Sequence, residues 1–416
     1  MIQTRNPNPL LALALIATLD LQGPTVLAQG SLTPPPGAPA PTMKTLDQIE
    51  ARTPISSAPI TISNPGSYYL TTNLSVSGGD AITIAASGVT LDLSGFTITS
   101  TAPGAAGNGI LINSGLRNLA ILNGFIQGGV TNNGGAYSGS GFGFGIYGFP
   151  QNARVCGVSV AGCLYLGIYL GTGDSTLVDS CTVRTVGSVG IMASIIKASV
   201  AKDCGDSAIL GFQVADCRGE STSGSGLIAN TALNCYGSSS SGTGLNAYTA
   251  ENCQGESTSG VGLNANSTAL NCSGTSTSSH GVVAITALNC SGSSSSGAGL
   301  RATLAHNCRG ESSSSYGLTA NMAHNCLGQS SGGTGLDASR TAQDCQGFSA
   351  GSGDGVHAFI VNNCFGESSS GYGVYAVDIA IGSYGSTISG LAGLRAWIGN
   401  SSDGNTMAVN YKFNMP

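Results

Sequence analysis

From residue 209 to residue 374 this chain repeats itself about every 18 residues. Cys217, Cys235, Cys253, Cys272, Cys290, Cys308, Cys326, Cys345 and Cys364 follow one another at steps of 18 or 19. A second column keeps step with them: Ile209, Leu227, Leu245, Leu263, Val282, Leu300, Leu318, Leu336, Val356 and Val374. A short fixed period made of strand-length segments specifies a β-solenoid. Each repeat is one coil, and it buries its inner face only by stacking on its neighbours.

The columns also decide how the composition is read. Only 8% of the residues are charged and glycine is 64 of 416, against about 25% charged residues in a typical soluble domain. Such values alone would fit disorder, but a disordered chain has no reason to hold Leu and Cys in register. The net charge of −6 leaves no basic footprint for nucleic acid.

Residues 1–28 read as a signal peptide, with Arg5 before a short apolar run at 10–17 (LLALALIA) and a small-residue cleavage site at 26–28 (VLA). That run is too short to span a bilayer, and no later segment is apolar enough for a membrane helix. The expected location is therefore secreted or in the cell envelope, in the periplasm or on the outer surface. A Pro-rich linker follows at 29–44. Residues 45–130 are expected to hold a short amphipathic cap helix near 45–50 and irregular coils, with strand-like runs at 68–70, 81–84, 89–93 and 119–122. A Gly/aromatic loop at 131–150 is expected to lie over one face. Transitional coils (151–208), regular coils (209–380) and a C-terminal coil and cap (381–416) complete the division. The cap is marked by Trp397, Tyr411 and Phe413.

One regular coil can be assigned position by position. Leu245 and Ala247 point inward, two apart as strand alternation requires, and Ala250 fills the next inward slot, which is Ala or Val in all nine coils of the cysteine series. The residue before each cysteine is Asn or Asp, from Asp216 to Asn363. These residues tolerate a left-handed backbone and mark a tight corner, and stacked they would form an amide ladder. A glycine stands two places after each cysteine, and a Ser/Thr-rich turn closes the coil. A left-handed solenoid would need an apolar residue every six positions, but six past Leu245 is Glu251 and six past Leu300 is His306. Right-handed winding is therefore expected.

The asparagine corner and the LDLSG run at 91–95 resemble the pectate-lyase-like right-handed parallel β-helix superfamily. The resemblance covers roughly residues 59–400 and implies an all-β, right-handed parallel β-helix with coils of about 18 residues. That superfamily includes lyases, hydrolases and adhesins, so the resemblance carries fold further than activity. No Asn-Thr-Asp, Asp-Asp and Arg-x-Lys set of the polygalacturonase kind occurs to be carried over.

Thirteen cysteines in an exported chain invite a disulfide reading. In-register stacking separates neighbouring Cα atoms by about 4.8 Å, which a disulfide allows, but parallel side chains hold their Cβ atoms beyond the usual 3.5–4.5 Å. A buried ladder of free thiols is expected instead, with Cys156, Cys163, Cys181 and Cys204 outside the regular register. No Cys-x-x-Cys pair favours zinc.

The densest charge lies at 197–220, and the residues nominated there for catalysis are Asp203, Asp216, Glu220, Lys202 and Arg218. A lyase of this fold would use acidic ligands for calcium and a Lys or Arg base, and a hydrolase would use two spaced carboxylates. The alternative is a surface ladder of alternating sign, Asp179–Lys202–Glu220. Glu220, Glu256, Glu311 and Glu367 share one column but never sit on adjacent coils. His306 and His324 are neighbours on an exposed column. The expectation is a monomeric structural or binding module for polysaccharide or cell-surface glycan, without a cofactor. The alternative is a polysaccharide lyase or glycoside hydrolase.

Overall fold

The computed structural model describes residues 50–173, 175–389 and 392–415. The expected signal peptide, the expected linker and nearly all of the expected cap helix lie outside the described residues. Every described element is a strand, and all but two of the strands stack as one parallel β-solenoid.

The coil at 245–262 shows why. Its strands are Leu245–Glu251 and Gln254–Ser257. The longer one bends at Tyr248, which has no ladder partner although Ala247 and Thr249 do. Each regular coil therefore contributes three short parallel runs, and their stacks make three faces. Leu245 and Ala247 face inward from the first face, Ala250 from the second, and Gly255 and Ser257 from the third. The alternation follows from the strand pleat.

Where the third face meets the start of the first, the interior has no room for a side chain. A Cβ on Gly292 would lie 2.1 Å from the carbonyl oxygen of Gly299 across the coil, so the third face approaches the start of the first through backbone alone. The buried serines beside this glycine column close the turns. Ser239 Oγ donates to the Gly224 carbonyl at 2.6 Å and accepts the Gly242 N–H at 2.8 Å. The Ser-rich turns thus have an internal structural use.

The corner ladder forms as the repeat implies. From Asp216 to Asn363 every residue before a cysteine has φ between 50° and 55°. Amides bond coil to coil, with Asn271 Nδ2 donating to Asn252 Oδ1 and Asn289 Nδ2 to Asn271 Oδ1, both at 3.1 Å. The next slot explains the cysteine. Cys272 Sγ donates to the Leu270 carbonyl at 3.2 Å, and the Cys235 N–H points at Cys253 Sγ at 3.5 Å. A small weak donor and acceptor is what this slot needs, and serine serves equally. Cys364 N–H donates to Ser383 Oγ at 3.1 Å and Ser383 N–H to Ser402 Oγ at 3.2 Å.

All thirteen thiols are unpaired and twelve are buried. Burial pushes Cys163 and Cys217 up to about 12. Three of the four cysteines expected outside the register belong to inner columns. Cys181 precedes Ser199 in the cysteine column, while Cys163 and Cys204 stand in the column that becomes serine at Ser221.

The early strand runs appear as Gly66–Leu70, Ile82–Ile84, Val89–Asp92 and Arg117–Gln127. The Gly/aromatic segment differs from a loop. Gly129–Asn133 and Ala136–Ser140 form an antiparallel hairpin, and Phe144–Tyr147 returns to the solenoid as a strand of the first face. The hairpin turns at Gly134 and Gly135, both at positive φ, a conformation that glycine adopts freely. At the other end Met407–Phe413 pairs with Leu394–Asn400, and Met407, Val409 and Met415 pack against the core.

Two predictions follow from the narrow interior. Gly292→Ala should lower stability by about 3 kcal/mol, because backbone has to move, whereas outward Ser291→Ala should change it by less than about 0.5 kcal/mol; urea unfolding of both variants checks this. Thirteen thiols should titrate in denaturant without reductant, and in the native protein only Cys156, the one that is not buried, should react, and slowly, because partial burial and Asp179 raise its thiol.

Candidate functional site

The residues nominated from sequence fall into three places. Lys202, Arg218 and Glu220 come together on the third face. Lys202 Nζ is 3.2 Å and Arg218 Nε 2.6 Å from Glu220 Oε1, and the Arg218 guanidinium also lies 4.4 Å from the Tyr236 ring centroid. Partial burial would raise the Glu220 carboxyl, but the bonds from Arg218 and Lys202 outweigh it and hold the group below its ordinary value. Asp179 is not part of this ladder. It pairs with Lys197, and Arg184 stands beside Lys202. The extra residues of this longer coil precede the strand Leu177–Asp179 and upset a count of equal steps. Asp216 is a corner residue and accepts the Asn234 amide at 3.0 Å.

Asp203 is the tether of the hairpin. Its Oδ1 accepts Asn132 Nδ2 at 2.6 Å and the Tyr137 hydroxyl at 3.0 Å, and its Oδ2 accepts the Thr185 hydroxyl at 2.8 Å. Burial opposes ionisation, but these three donors and Arg184 together hold the carboxyl below 3.8. The five residues therefore do not line one groove.

The first face carries a different arrangement. Its outward column runs in register from Thr83 through Tyr147, Tyr169, Asn246, Asn264, Asp337 and Arg395 to Ala408. Near the start five rings touch. Tyr147 is 5.0 Å from Phe144, 5.7 Å from Tyr169 and 5.7 Å from Phe149, and Phe144 is 5.2 Å from Tyr165. Phe149 is 52% and Tyr165 49% exposed. The middle of the column carries an amide network, in which Asn246 Oδ1 accepts Asn264 Nδ2 at 2.9 Å and Asn266 Nδ2 at 3.3 Å.

The last coils of the same column hold Asp337, His357, Tyr375 and Arg395, each directly above the one before. His357 Nδ1 lies 3.1 Å from Asp337 Oδ1, and the His357 ring stacks on Tyr375 at 4.8 Å. The Asp337 carboxylate raises His357 above 6.5 against the opposing effect of burial. Arg395 lies 4.8 Å from the Tyr375 ring and 5.2 Å from the Tyr372 ring, and donates to the Tyr372 hydroxyl at 2.8 Å. Asp354, on the edge beside them, is raised by burial and partly offset by the Tyr372 N–H at 2.9 Å. None of these residues was nominated from sequence. The available signal was their common place, one past Leu336, Val356, Val374 and Leu394.

His306 and His324 stack at 4.8 Å, with His324 Nε2 3.3 Å from Asp344 Oδ2. Among the described residues no group of three His, Cys, Asp or Glu side chains is placed to hold a metal ion. Nor is any helix among them long and apolar enough to cross a membrane.

No protein-family model matches the chain, and no curated protein matches it in sequence. Solved structures resemble it only weakly. The A-module of a mannuronan C-5 epimerase from Azotobacter vinelandii is 14% identical, with 83% of this chain and 91% of that one covered and a TM-score of 0.23. A DFA-IIIase from Arthrobacter chlorophenolicus is 13% identical, with 80% and 72% covered and a TM-score of 0.20. Likeness at this level establishes neither a family nor an activity.

The Asp203 tether makes a direct prediction. Asp203→Ala should free the hairpin, so that chymotrypsin cuts after Tyr137 at neutral pH while the solenoid stays resistant. In the wild type the tether is present above the unfolded value of 3.8 and is lost only as pH falls through the lower folded value. Comparing digestion of the two proteins checks it.

Proposed function

We propose that the chain is an exported glycan-binding β-solenoid whose first face receives an extended polysaccharide. The observation that carries this reading is the continuous outward column of that face, which holds near its start a cluster of touching, partly exposed rings. Exposed aromatic rings in contact with one another are an unusual use of surface in a chain with only 6% aromatic residues. A sugar ring presents an apolar C–H face and a rim of hydroxyls. Aromatic faces cover the first, and the amides of Asn246 and Asn264 supply donors and acceptors for the second.

The column also matches a polymer in kind, because a repeating face offers many weak contacts that act together on one repeating ligand. The charges at 197–220 are absent from this reading. Glu220, Asp203 and Asp216 are each already hydrogen-bonded or ion-paired within the solenoid. Export is supported by the residue pattern at 1–28.

Tyr147→Ala with Tyr169→Ala should weaken retention on a polysaccharide affinity gel about tenfold, the effect of losing about 1.4 kcal/mol, with an unchanged circular dichroism spectrum. Equal retention of variant and wild type, or no retention on any gel of a broad neutral and acidic panel, would sink the proposal.

A further inference from the structure

The geometry points to a second subsite on the last coils of the first face, where Arg395, His357, Tyr372 and Tyr375 hold a carboxylate-bearing glycan by its acidic group. The inference rests on the glycan-binding reading and names the substrate class at one end of that face.

Arg395 is a cation prepared for an anion. It is exposed, it lies within 4 Å of no carboxylate among the described residues, and its one side-chain hydrogen bond there goes to Tyr372. A guanidinium has five N–H donors in a planar fork suited to a carboxylate, so most remain available. Contact with the Tyr372 and Tyr375 rings already orders the side chain, which reduces the entropy lost on binding. The Tyr372 hydroxyl accepts from Arg395, so its own proton remains free to be donated.

His357 adds a proton-dependent charge. The groups facing it are Asp337 on the preceding coil, Tyr375 on the next, Asp354 at the edge of its own coil and Arg395 beyond Tyr375. With His357 protonated, two cations face two carboxyls. When it loses its proton, one negative charge is left in excess and repels an acidic ligand. Arg301, three coils back in the same column from His357, is likewise free of any ion pair among the described residues.

Exposed rings flank the ionisable column. Phe359, 47% exposed, and Trp397, 52% exposed, stand two places after His357 and Arg395, and Trp397 meets Tyr411 edge-on at 5.8 Å. A sugar lying on them would carry its acidic substituent across Tyr375 to Arg395. The chain is net negative, at −6, so bulk attraction of polyanions does not substitute for this site.

The test uses a linear polyuronate, the same polymer after reduction of its carboxyls to alcohols, and polyglutamate as a sugar-free polyanion. Binding of each to the full chain is measured by calorimetry across pH 5–9. The polyuronate should bind more tightly than its reduced form, with polyglutamate weaker than both. Its affinity should fall as pH rises through the His357 value, which lies above 6.5. Arg395→Gln should weaken polyuronate binding about tenfold and leave the reduced polymer unaffected, and His357→Gln should flatten the pH dependence. Equal binding of polyuronate and reduced polymer overturns the inference and leaves the glycan reading standing. Polyglutamate binding as tight as polyuronate also overturns it. No binding of either polysaccharide overturns both readings.

Discussion

Everything in this molecule depends on the backbone hydrogen bonds that hold each coil in register on the next. Leu245 N–H donates to the Gly262 carbonyl, Leu263 to Gly281 and Val282 to Gly299, at 2.9–3.0 Å. Parallel pairing that resumes its register after each local bulge puts paired side chains about 4.8 Å from their counterparts. A residue type that works in one coil therefore works in all, and one that fails is repeated as a failure. The Asn corner, the Cys and Ser slots and the facing glycines are solutions to that requirement. The corner takes up a left-handed backbone and bonds coil to coil, the Cys and Ser slots give buried polar groups their partners, and the glycines leave space for backbone.

The same register explains what was legible in the residues. Cysteine, its preceding Asn and the Leu column repeat at nearly constant steps, so the fold, the corner conformation and the free-thiol ladder could be derived from them. The irregular coils were less transparent. The Asn133-Gly134-Gly135 turn was a hairpin signal that the surrounding glycines concealed. Asp179 was misplaced because insertion within one coil breaks a constant count.

The ionisable cluster escaped for another physical reason. In a compact enzyme, residues close in sequence and rich in charge draw attention, and the 197–220 stretch did so here. In a solenoid, side chains that meet are separated by a whole coil. Asp337, His357, Tyr375 and Arg395 look isolated in the chain and touch only when it is wound. Local charge density instead marked ion pairs and a hairpin tether, which use charge for architecture.

The constant rise also makes the molecule a measuring device. Tyr169 and His357 stand ten coils apart in one column, a separation of about 48 Å. Gain or loss of one whole repeat between them would slide one cluster against the other by a single strand spacing and leave the contacts inside each intact. The reach between the aromatic and ionisable ends is therefore quantised, and a chain of this design can be retuned to a ligand of different periodicity by repeat number alone.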